Sequence, residues 1–223
     1  MAKETTVAIL GGSGDLGQGL GTALARAGFP LRIGSRQLDR AAEAAATIRA
    51  AVDDATVEPA TNADAVIGAD LVVIAVPFAT QATLLTELKS HLVEGQVVLD
   101  ATVPLATATG GRPTHLLGVW QGSAAQQARS ILPPTVGVVS GLHTLSAADL
   151  LGAEPSGSQD TLICGDTKEH KALVASVIGE IAGVRVVDAG PLAMSRLVEG
   201  ITPLLIGINI RNKVHAGIQI TGL

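Results

Sequence analysis

The feature that most constrains the fold is a glycine-rich turn between a predicted strand and a predicted helix. Residues 7–17 spell VAILGGSGDLG, in which Gly12, Gly14 and Gly17 match the pattern G-x-G-x-x-G. An apolar run precedes the turn and an Ala- and Leu-rich stretch follows it, and this is the context in which the pattern indicates a dinucleotide-binding loop. We expect Gly12 to permit the tight turn, Gly14 to admit a pyrophosphate, and Gly17 to let the helix approach the strand.

Short β-branched runs alternate with Ala-rich stretches along the chain, which is the pattern of parallel strands joined by helices. The sequence therefore predicts an α/β fold: a Rossmann-type, doubly wound, mainly parallel sheet. The predicted strands are 6–10, 30–34, 71–76, 96–100 and 135–139, with a weaker, edge-like candidate at 56–60 that Pro59 interrupts. The predicted helices are 15–27, 38–51, 61–68, 79–91 and 123–131, and 101–122 is predicted to be a long loop.

The second part of the chain predicts a smaller α/β lobe. A connection at 152–160, rich in small and polar residues, leads to two more strand–helix units, so we divide the chain into an NADP-binding domain, 1–150, and a C-terminal lobe, 151–223. The helix predicted from about residue 191 is apolar on much of its circumference, and Pro203 should kink it. Because such a helix must be covered, we expect it to pack against a second subunit of a homodimer.

The tip of the second predicted strand carries positive charge where NAD-binding proteins place a carboxylate. Ser35 and Arg36 stand at this tip, and Arg40 follows one helical turn later. A serine–arginine tip suits the 2′-phosphate of NADP(H), although two solvated arginines at the start of a helix are the alternative. Val76 and Pro77 end the fourth strand and Val103 follows the fifth, so their backbones are expected near the nicotinamide side of the cleft.

Composition narrows the partners and the chemistry. The net charge of −5 argues against nucleic acid or an acidic membrane surface as a partner, and no apolar run is long enough to predict a membrane span. A single cysteine, Cys164, suits a reducing compartment, so we expect a cytoplasmic protein. The five histidines have no metal-ligand spacing, so no metal site is expected, and the absence of tyrosine excludes a tyrosine acid.

Several segments occur in one order that resembles a known family. They are LGGSGDLGQGL, GSR, AVP, VSGLHTLSA at 139–147, DAGPLAMSRLVEGITPLL at 188–205 and HAGIQI at 215–220. Together they resemble the NADPH-dependent oxidoreductases of the 8-hydroxy-5-deazaflavin coenzyme, coenzyme F420. The resemblance spans nearly the whole chain and implies reversible hydride transfer between NADP(H) and the deazaflavin.

The resemblance also implies site residues. The deazaflavin is expected in a pocket formed by Leu142, His143 and the chain terminus around Ala216. His143 follows a predicted strand and could donate a hydrogen bond to a deazaflavin carbonyl, so we consider it the catalytic candidate; the alternative is a strand-end histidine satisfied by the backbone. The residues expected to contact NADP(H) are Ser13, Gly14, Asp15, Leu16, Ser35, Arg36, Arg40, Val76, Thr80, Val103 and Ala147.

Other functions stay open from the sequence. An NADPH-dependent imine, ketone or ferric reductase could use the same loop without a deazaflavin, and a non-catalytic NADP(H)-sensing module could bind the nucleotide alone. Arg211, Lys213 and His215 form a basic run near the C-terminus. This run could hold the anionic tail of the deazaflavin coenzyme, or its cations could simply be favoured at the end of a helix.

Overall fold

Eight strands form one sheet in the order β3-β2-β1-β4-β5-β6-β7-β8. The computed structural model describes residues 4–152 and 157–223. All neighbouring strands pair in parallel except β6 and β7, which are antiparallel, so the predicted Rossmann-type, mainly parallel fold is confirmed. The strands are β1 Val7–Leu10, β2 Leu31–Ser35, β3 Val57–Thr61, β4 Leu71–Ile74, β5 Val97–Asp100, β6 Gly137–Ser140, β7 Gln159–Gly165 and β8 Val184–Asp188.

Helices connect the strands and cover both faces of the sheet. Along β1, Val7 and Ile9 pack into one apolar cluster, whereas Ala8 and Leu10 pack into another, because successive side chains of a strand point to opposite faces. The helices are α1 Asp15–Arg26, α2 Leu38–Ala51, α3 Asn62–Val66, α4 Phe78–Leu88, α5 Ala124–Ile131, α6 Ala147–Leu151, α7 Lys168–Ile178, α8 Ser195–Glu199 and α9 Ile201–Asn212, with 3-10 helices at Ala106–Thr109 and Leu192–Met194.

The weak strand candidate at 56–60 is a strand of the sheet. It is β3, which lies at the edge and pairs with β2 alone. Pro59 is aligned with Ile33 of β2. Proline is tolerated here because an edge strand has one side on which no ladder hydrogen bond is needed.

The predicted C-terminal helix is broken. A 3-10 turn and α8 precede Gly200, and α9 begins at Ile201, so the break lies three residues before Pro203, where the kink was predicted. Proline lacks an N–H and its ring clashes with the carbonyl four residues earlier, which here is that of Glu199. Pro203 therefore stands in the first turn of a new helix, where its missing N–H costs nothing.

Two shorter elements were missed by the sequence patterns. Helix α6 follows the 142–144 segment, and the predicted loop at 101–122 contains the 3-10 helix Ala106–Thr109 and a bridge between Leu105 and Leu116. The strands after the predicted domain boundary extend the same sheet through β6 and β7. Of the predicted connection at 152–160, residues 153–156 lie outside the described residues.

Candidate active site

A cleft of about 960 Å³ opens where β1 and β4 lie side by side at the centre of the sheet. Chain connections leave these two strands in opposite directions along the sheet, and ligands of doubly wound folds bind at this crevice beyond the carboxyl ends of the strands. Gly11 and Gly14 line the cleft after β1, and Ala75 and Val76 line it after β4. The predicted dinucleotide loop therefore faces a space large enough for a nucleotide.

The three glycines of the motif do different steric work. A β-carbon on Gly17 would lie 2.5 Å from the Gly11 carbonyl oxygen, so helix α1 can approach the loop only without one. A β-carbon on Gly14 would meet nothing closer than 3.4 Å, which leaves open space for a ligand beside the start of α1. The left-handed backbone conformation in the loop is that of Gly11, with a φ of 82°, directly before Gly12, where the tight turn was expected. Gly12 is required because a β-carbon there would lie 2.6 Å from Ile33.

The basic tip of β2 lies at one end of the cleft. Ser35, Arg36 and Arg40 all line it. Both arginines are exposed, and neither guanidinium has a hydrogen bond or ion pair to another described residue. The Ser35 hydroxyl accepts a hydrogen bond from the Gln37 backbone N–H at 3.3 Å, which fixes the turn that presents Arg36. The tip is thus a set of free donors, suited to a phosphate group.

Eight of the predicted cofactor residues line this cleft, and the structure brings them together from β1, β2 and β4. The sequence missed Asn62, which lines the same cleft and whose buried side-chain oxygen has no partner among the described residues. Ala147 packs against α1, since its carbonyl occupies the place of a β-carbon on Gly19. The predicted cofactor residues outside the lining are Gly12, Asp15, Leu16, Gly17, Val103 and Ala147. Contact with the nucleotide stays a prediction for these six and for the eight that line the cleft.

Each residue of the segment 142–144, which is predicted to contact the deazaflavin, makes a hydrogen bond to another part of the chain. The Leu142 N–H donates to the Thr161 hydroxyl at 2.9 Å, the His143 carbonyl accepts from the Thr202 hydroxyl at 2.8 Å, and the Thr144 hydroxyl donates to the Asp160 carbonyl at 2.7 Å. Leu142 has a φ of 69°, a left-handed conformation that costs a leucine energy. These bonds hold the strained turn that presents His143.

His143 is buried and neutral. Burial lowers the pKa of its imidazole to about 4, although the Thr102 backbone partly opposes this shift. Neither ring nitrogen has a well-formed hydrogen bond with the described residues. A neutral imidazole has one donor and one acceptor nitrogen, and both nitrogens of His143 are buried in this structure. Burying these nitrogens without partners costs free energy, which a ligand would recover.

A buried polar network lies behind the cleft, and sequence reasoning did not identify it. The Gln81 side-chain nitrogen of α4, which has two hydrogens to donate, lies within hydrogen-bonding distance of the Asp100 carboxyl, of the Thr102 hydroxyl at 2.8 Å and of the Ala124 carbonyl at 3.0 Å. The Glu199 carboxyl accepts from the first N–H groups of α5, with a distance of 2.9 Å to that of Ala124. The network joins the end of β5 to α4, α5 and α8.

Both carboxyl groups of this network bind protons more tightly than usual. Burial raises the pKa of Asp100 to about 6, against hydrogen bonds from Thr102 and Gln81 that favour the charged form. Burial also raises the pKa of Glu199 to about 7, and the neighbouring charge of Asp100 adds to this rise. Two buried acids close to one another cannot easily both be ionised.

The C-terminal residues form a tail without regular structure after α9. The Ala216 N–H donates to the Asn209 side chain at 2.8 Å, and the Ile218 carbonyl accepts from the Asp160 N–H at 2.8 Å. Asp160 therefore contacts both the tail and Thr144. Across residues 4–152 and 157–223, no group of three His, Cys, Asp or Glu side chains has the geometry to hold a metal ion.

The stretch Leu192–Asn212 is long and apolar enough to cross a membrane, by length and composition only. One third of it, 33%, is buried inside the protein. The rest includes the exposed side chains of Leu197, Leu204 and Ile210. These three large apolar side chains are each more than half exposed in a single copy of the chain.

The sheet order, the glycine loop and the cleft together define a nucleotide-binding protein of the Rossmann class. Residues 6–104 match the sequence profile of the family described as "NADP oxidoreductase coenzyme F420-dependent". The F420-dependent NADP reductase of Methanothermobacter thermautotrophicus is 39% identical over 97% of this chain and 95% of its own length. The chain belongs to the family of F420-dependent NADP reductases.

Solved structures agree with this membership. A protein from Arthrobacter sp. FB24 that has been assigned as an F420-dependent NADP reductase superposes with a TM-score of 0.80, at 27% identity, over 96% of this chain and 98% of that one. An imine reductase from Bacillus cereus superposes with a TM-score of 0.60 at 13% identity, over 93% of this chain and 60% of that one. The second likeness reflects a shared fold alone.

Proposed function

We propose that this protein catalyses reversible hydride transfer between NADP(H) and the 8-hydroxy-5-deazaflavin coenzyme F420. The observation that carries the proposal is one cleft lined by both the glycine loop and the Ser35–Arg36 tip, in a chain whose relatives are named F420-dependent NADP reductases. The imine reductase alternative has support from the fold alone, and no feature of the described residues favours a sensing module.

NADP(H) binds along the cleft in this proposal. The pyrophosphate lies beside Gly14 at the start of α1, where no side chain caps the helix and the first N–H groups are available to an anion. The 2′-phosphate is held by Ser35, Arg36 and Arg40. The nicotinamide lies toward Val76, Pro77, Thr80 and Val103.

The deazaflavin binds on the side of the segment 142–144. His143 supports this assignment because its buried ring nitrogens have no other well-formed partner. In the neutral form it donates one hydrogen bond to a carbonyl of the ring without adding a positive charge to the site. Leu142 packs beside it, and Ala216 lies on the tail that completes the pocket.

The chemistry needs little from the protein beyond alignment. The nicotinamide supplies or accepts the hydride, and the protein aligns the two reactants and excludes water. Backbone and small side chains form most of the cleft wall, which lets two flat rings approach closely. A nucleophile is not required.

The direct test mixes the protein with NADPH and oxidised deazaflavin and follows the loss of deazaflavin absorbance. Bleaching with NADPH, and much less with NADH, is the expected result. The same assay with a cyclic imine, a ketone and a ferric chelate as acceptors addresses the alternative reductases. Oxidation of NADPH by one of those acceptors without deazaflavin reduction would overturn the proposal, as would NADPH binding with no acceptor reduced.

The proposal includes a cytoplasmic homodimer that acts on small molecules, without nucleic acid or membrane partners. Leu197, Leu204 and Ile210 are 55%, 61% and 64% exposed on α8 and α9, so an apolar surface is left uncovered in one copy. A second copy that packs its own α8 and α9 there would bury this surface on both molecules at once. The net charge of −5 would repel nucleic acid and acidic membrane surfaces, which supports the proposal that neither is a partner.

A further inference from the structure

The C-terminal tail, residues 214–223, is held in place by one buried carboxylate. The Asp160 side chain is 0% exposed and accepts two hydrogen bonds from the Arg185 guanidinium, both at 2.7 Å. It also accepts one from the Ile220 backbone N–H at 2.5 Å. Arg185 in turn donates to the Ile220 carbonyl at 2.6 Å, so the ion pair binds both the backbone N–H and the backbone carbonyl of Ile220.

Apolar burial contributes little to the position of the tail. Val214 is 47% exposed, Ile220 is 38% exposed and Leu223 is 77% exposed, and Ile218 alone packs against a core cluster. A segment with so few buried apolar contacts is fixed mainly by its hydrogen bonds. Asp160 and Arg185 provide most of those that the tail makes with the sheet.

The same strand end also holds the His143 segment. The Asp160 carbonyl accepts from Thr144, and the adjacent Thr161 hydroxyl accepts from the Leu142 N–H. The two segments that the proposed function assigns to the deazaflavin are therefore fastened to neighbouring residues at the start of β7. Displacement of either would change the distance between His143 and Ala216.

We propose that Asp160 and Arg185 are positioning residues that hold the tail against the deazaflavin side of the site. This inference rests on the proposed function. The pair touches neither the glycine loop nor the basic tip, which lie beyond β6, β5 and β4 in the sheet. It therefore sets the affinity for the deazaflavin and leaves the affinity for NADPH unchanged.

The test compares Asp160→Asn and Arg185→Gln with wild type. Asparagine at position 160 keeps the shape of the aspartate side chain but turns an N–H₂ group toward the Arg185 guanidinium. Glutamine at position 185 removes the guanidinium, which is partly exposed. The second variant therefore remains informative if the first does not fold. Asp188→Asn is the control, because Asp188 pairs with Lys171 in the same lobe at 2.7 Å without contact to the tail. Melting temperature establishes folding of each variant.

Three readouts are measured on the whole protein: hydrogen exchange of residues 214–223, the KM for the deazaflavin, and the Kd for NADPH by fluorescence. We expect faster exchange in the tail and a KM for the deazaflavin raised about tenfold, which corresponds to a loss of about 1.4 kcal/mol of binding free energy. The Kd for NADPH should stay within about twofold, because the sites are distant and independent.

Each other outcome contradicts a distinct part of the inference. Unchanged exchange in both variants would show that the pair does not hold the tail. Faster exchange with an unchanged KM for the deazaflavin would show that the tail is no part of the site. If wild type transfers no hydride to the deazaflavin, the proposed function fails together with the substrate role of the tail, whereas the exchange comparison still decides whether Asp160 and Arg185 anchor it.

Discussion

Replacement of Arg36 by alanine tests the identity of the nucleotide. The Arg36 guanidinium is exposed and has no hydrogen-bonded or ion-paired partner among the described residues, so its removal should leave the fold unchanged. Any loss that follows belongs to ligand binding. Our prediction is that Arg36→Ala weakens NADPH binding and hardly affects NADH, because the two nucleotides differ only by the 2′-phosphate.

The size of the effect follows from the site. A hydrogen bond to a charged group contributes about 1.5 to 3 kcal/mol, which corresponds to about a 10- to 100-fold change in Kd. Arg40 remains in the cleft one helical turn away and Ser35 remains at the tip, so the phosphate would keep other donors. We therefore expect the lower half of this range, and a larger loss when Arg40 is also replaced.

The assay is a fluorescence titration with NADPH and with NADH at one ionic strength. Lys168→Ala is the control, because Lys168 is an exposed cation at the start of α7, outside the cleft, and its loss changes the net charge equally. At higher salt, the difference between wild type and Arg36→Ala in the Kd for NADPH should become smaller, because salt screens the charge of the 2′-phosphate. Equal weakening of NADPH and NADH would refute the phosphate assignment, since it would place Arg36 on the adenine common to both.

Four further predictions follow from named contacts. His143→Ala should raise the KM for the deazaflavin or lower kcat and leave the Kd for NADPH nearly intact; unchanged kinetics would make His143 part of the scaffold. Gly17→Ala should lower the free energy of unfolding in urea by about 1 to 3 kcal/mol, because its β-carbon would meet backbone atoms. Gly118→Ala, with open space around it, should change little. Asp100→Asn removes a carboxyl whose pKa burial raises to about 6. The unfolding free energy of wild type, relative to that of the variant, should therefore fall by about 2 to 3 kcal/mol from pH 4 to pH 8, because the folded state disfavours the charged carboxylate. A difference that does not change with pH would contradict this. Leu204→Glu should convert a dimer to a monomer in light scattering, and a wild-type monomer would contradict the proposed interface.

The sequence predicted the sheet well because its strands are short, apolar and separated by helices with regular patterns. A buried parallel strand such as β4 is a continuous apolar run that is too short for a buried helix, so its sequence indicates a strand. The five-residue helix α6 spans little more than one turn, which is too short to show a helical period. Helix α3 is equally short, but it lies within the longer helix predicted at 61–68. The helix breaks at Gly200, three residues before Pro203, where the kink was predicted. Proline indicates that a helix is disrupted nearby, but it is also compatible with the first turn of a new helix.

The cleft was predictable where one local motif supplies each wall. The glycine loop, the tip of β2 and the end of β4 are each continuous in sequence, and the topology of a doubly wound sheet brings them together. Asn62 gave no such signal, because it lies at the start of α3 with no motif around it. Only the neighbouring positions of β2 and β3 show that it borders the cleft.

The polar network was out of reach of local patterns because its members are far apart in the chain. Gln81 and Asp100 are separated by 19 positions, and the Ala124 N–H and Glu199 by 75. Each residue taken alone resembles an ordinary helix or strand-end residue. Their common feature is burial, and a buried acid becomes informative only when its partners are known.

The amino-acid composition explains why residues far apart in the sequence are needed to position the site. A chain with 1% aromatic residues has few rings between which to place a flat substrate, so backbone segments and small side chains form much of the cleft wall. Backbone walls are positioned by hydrogen bonds from other segments, as Thr161, Thr202 and Asp160 position the residues around His143. Small displacements of such walls matter because hydride transfer depends on alignment of the reacting atoms. The residues that control the reaction most strongly should therefore include several that never touch either substrate.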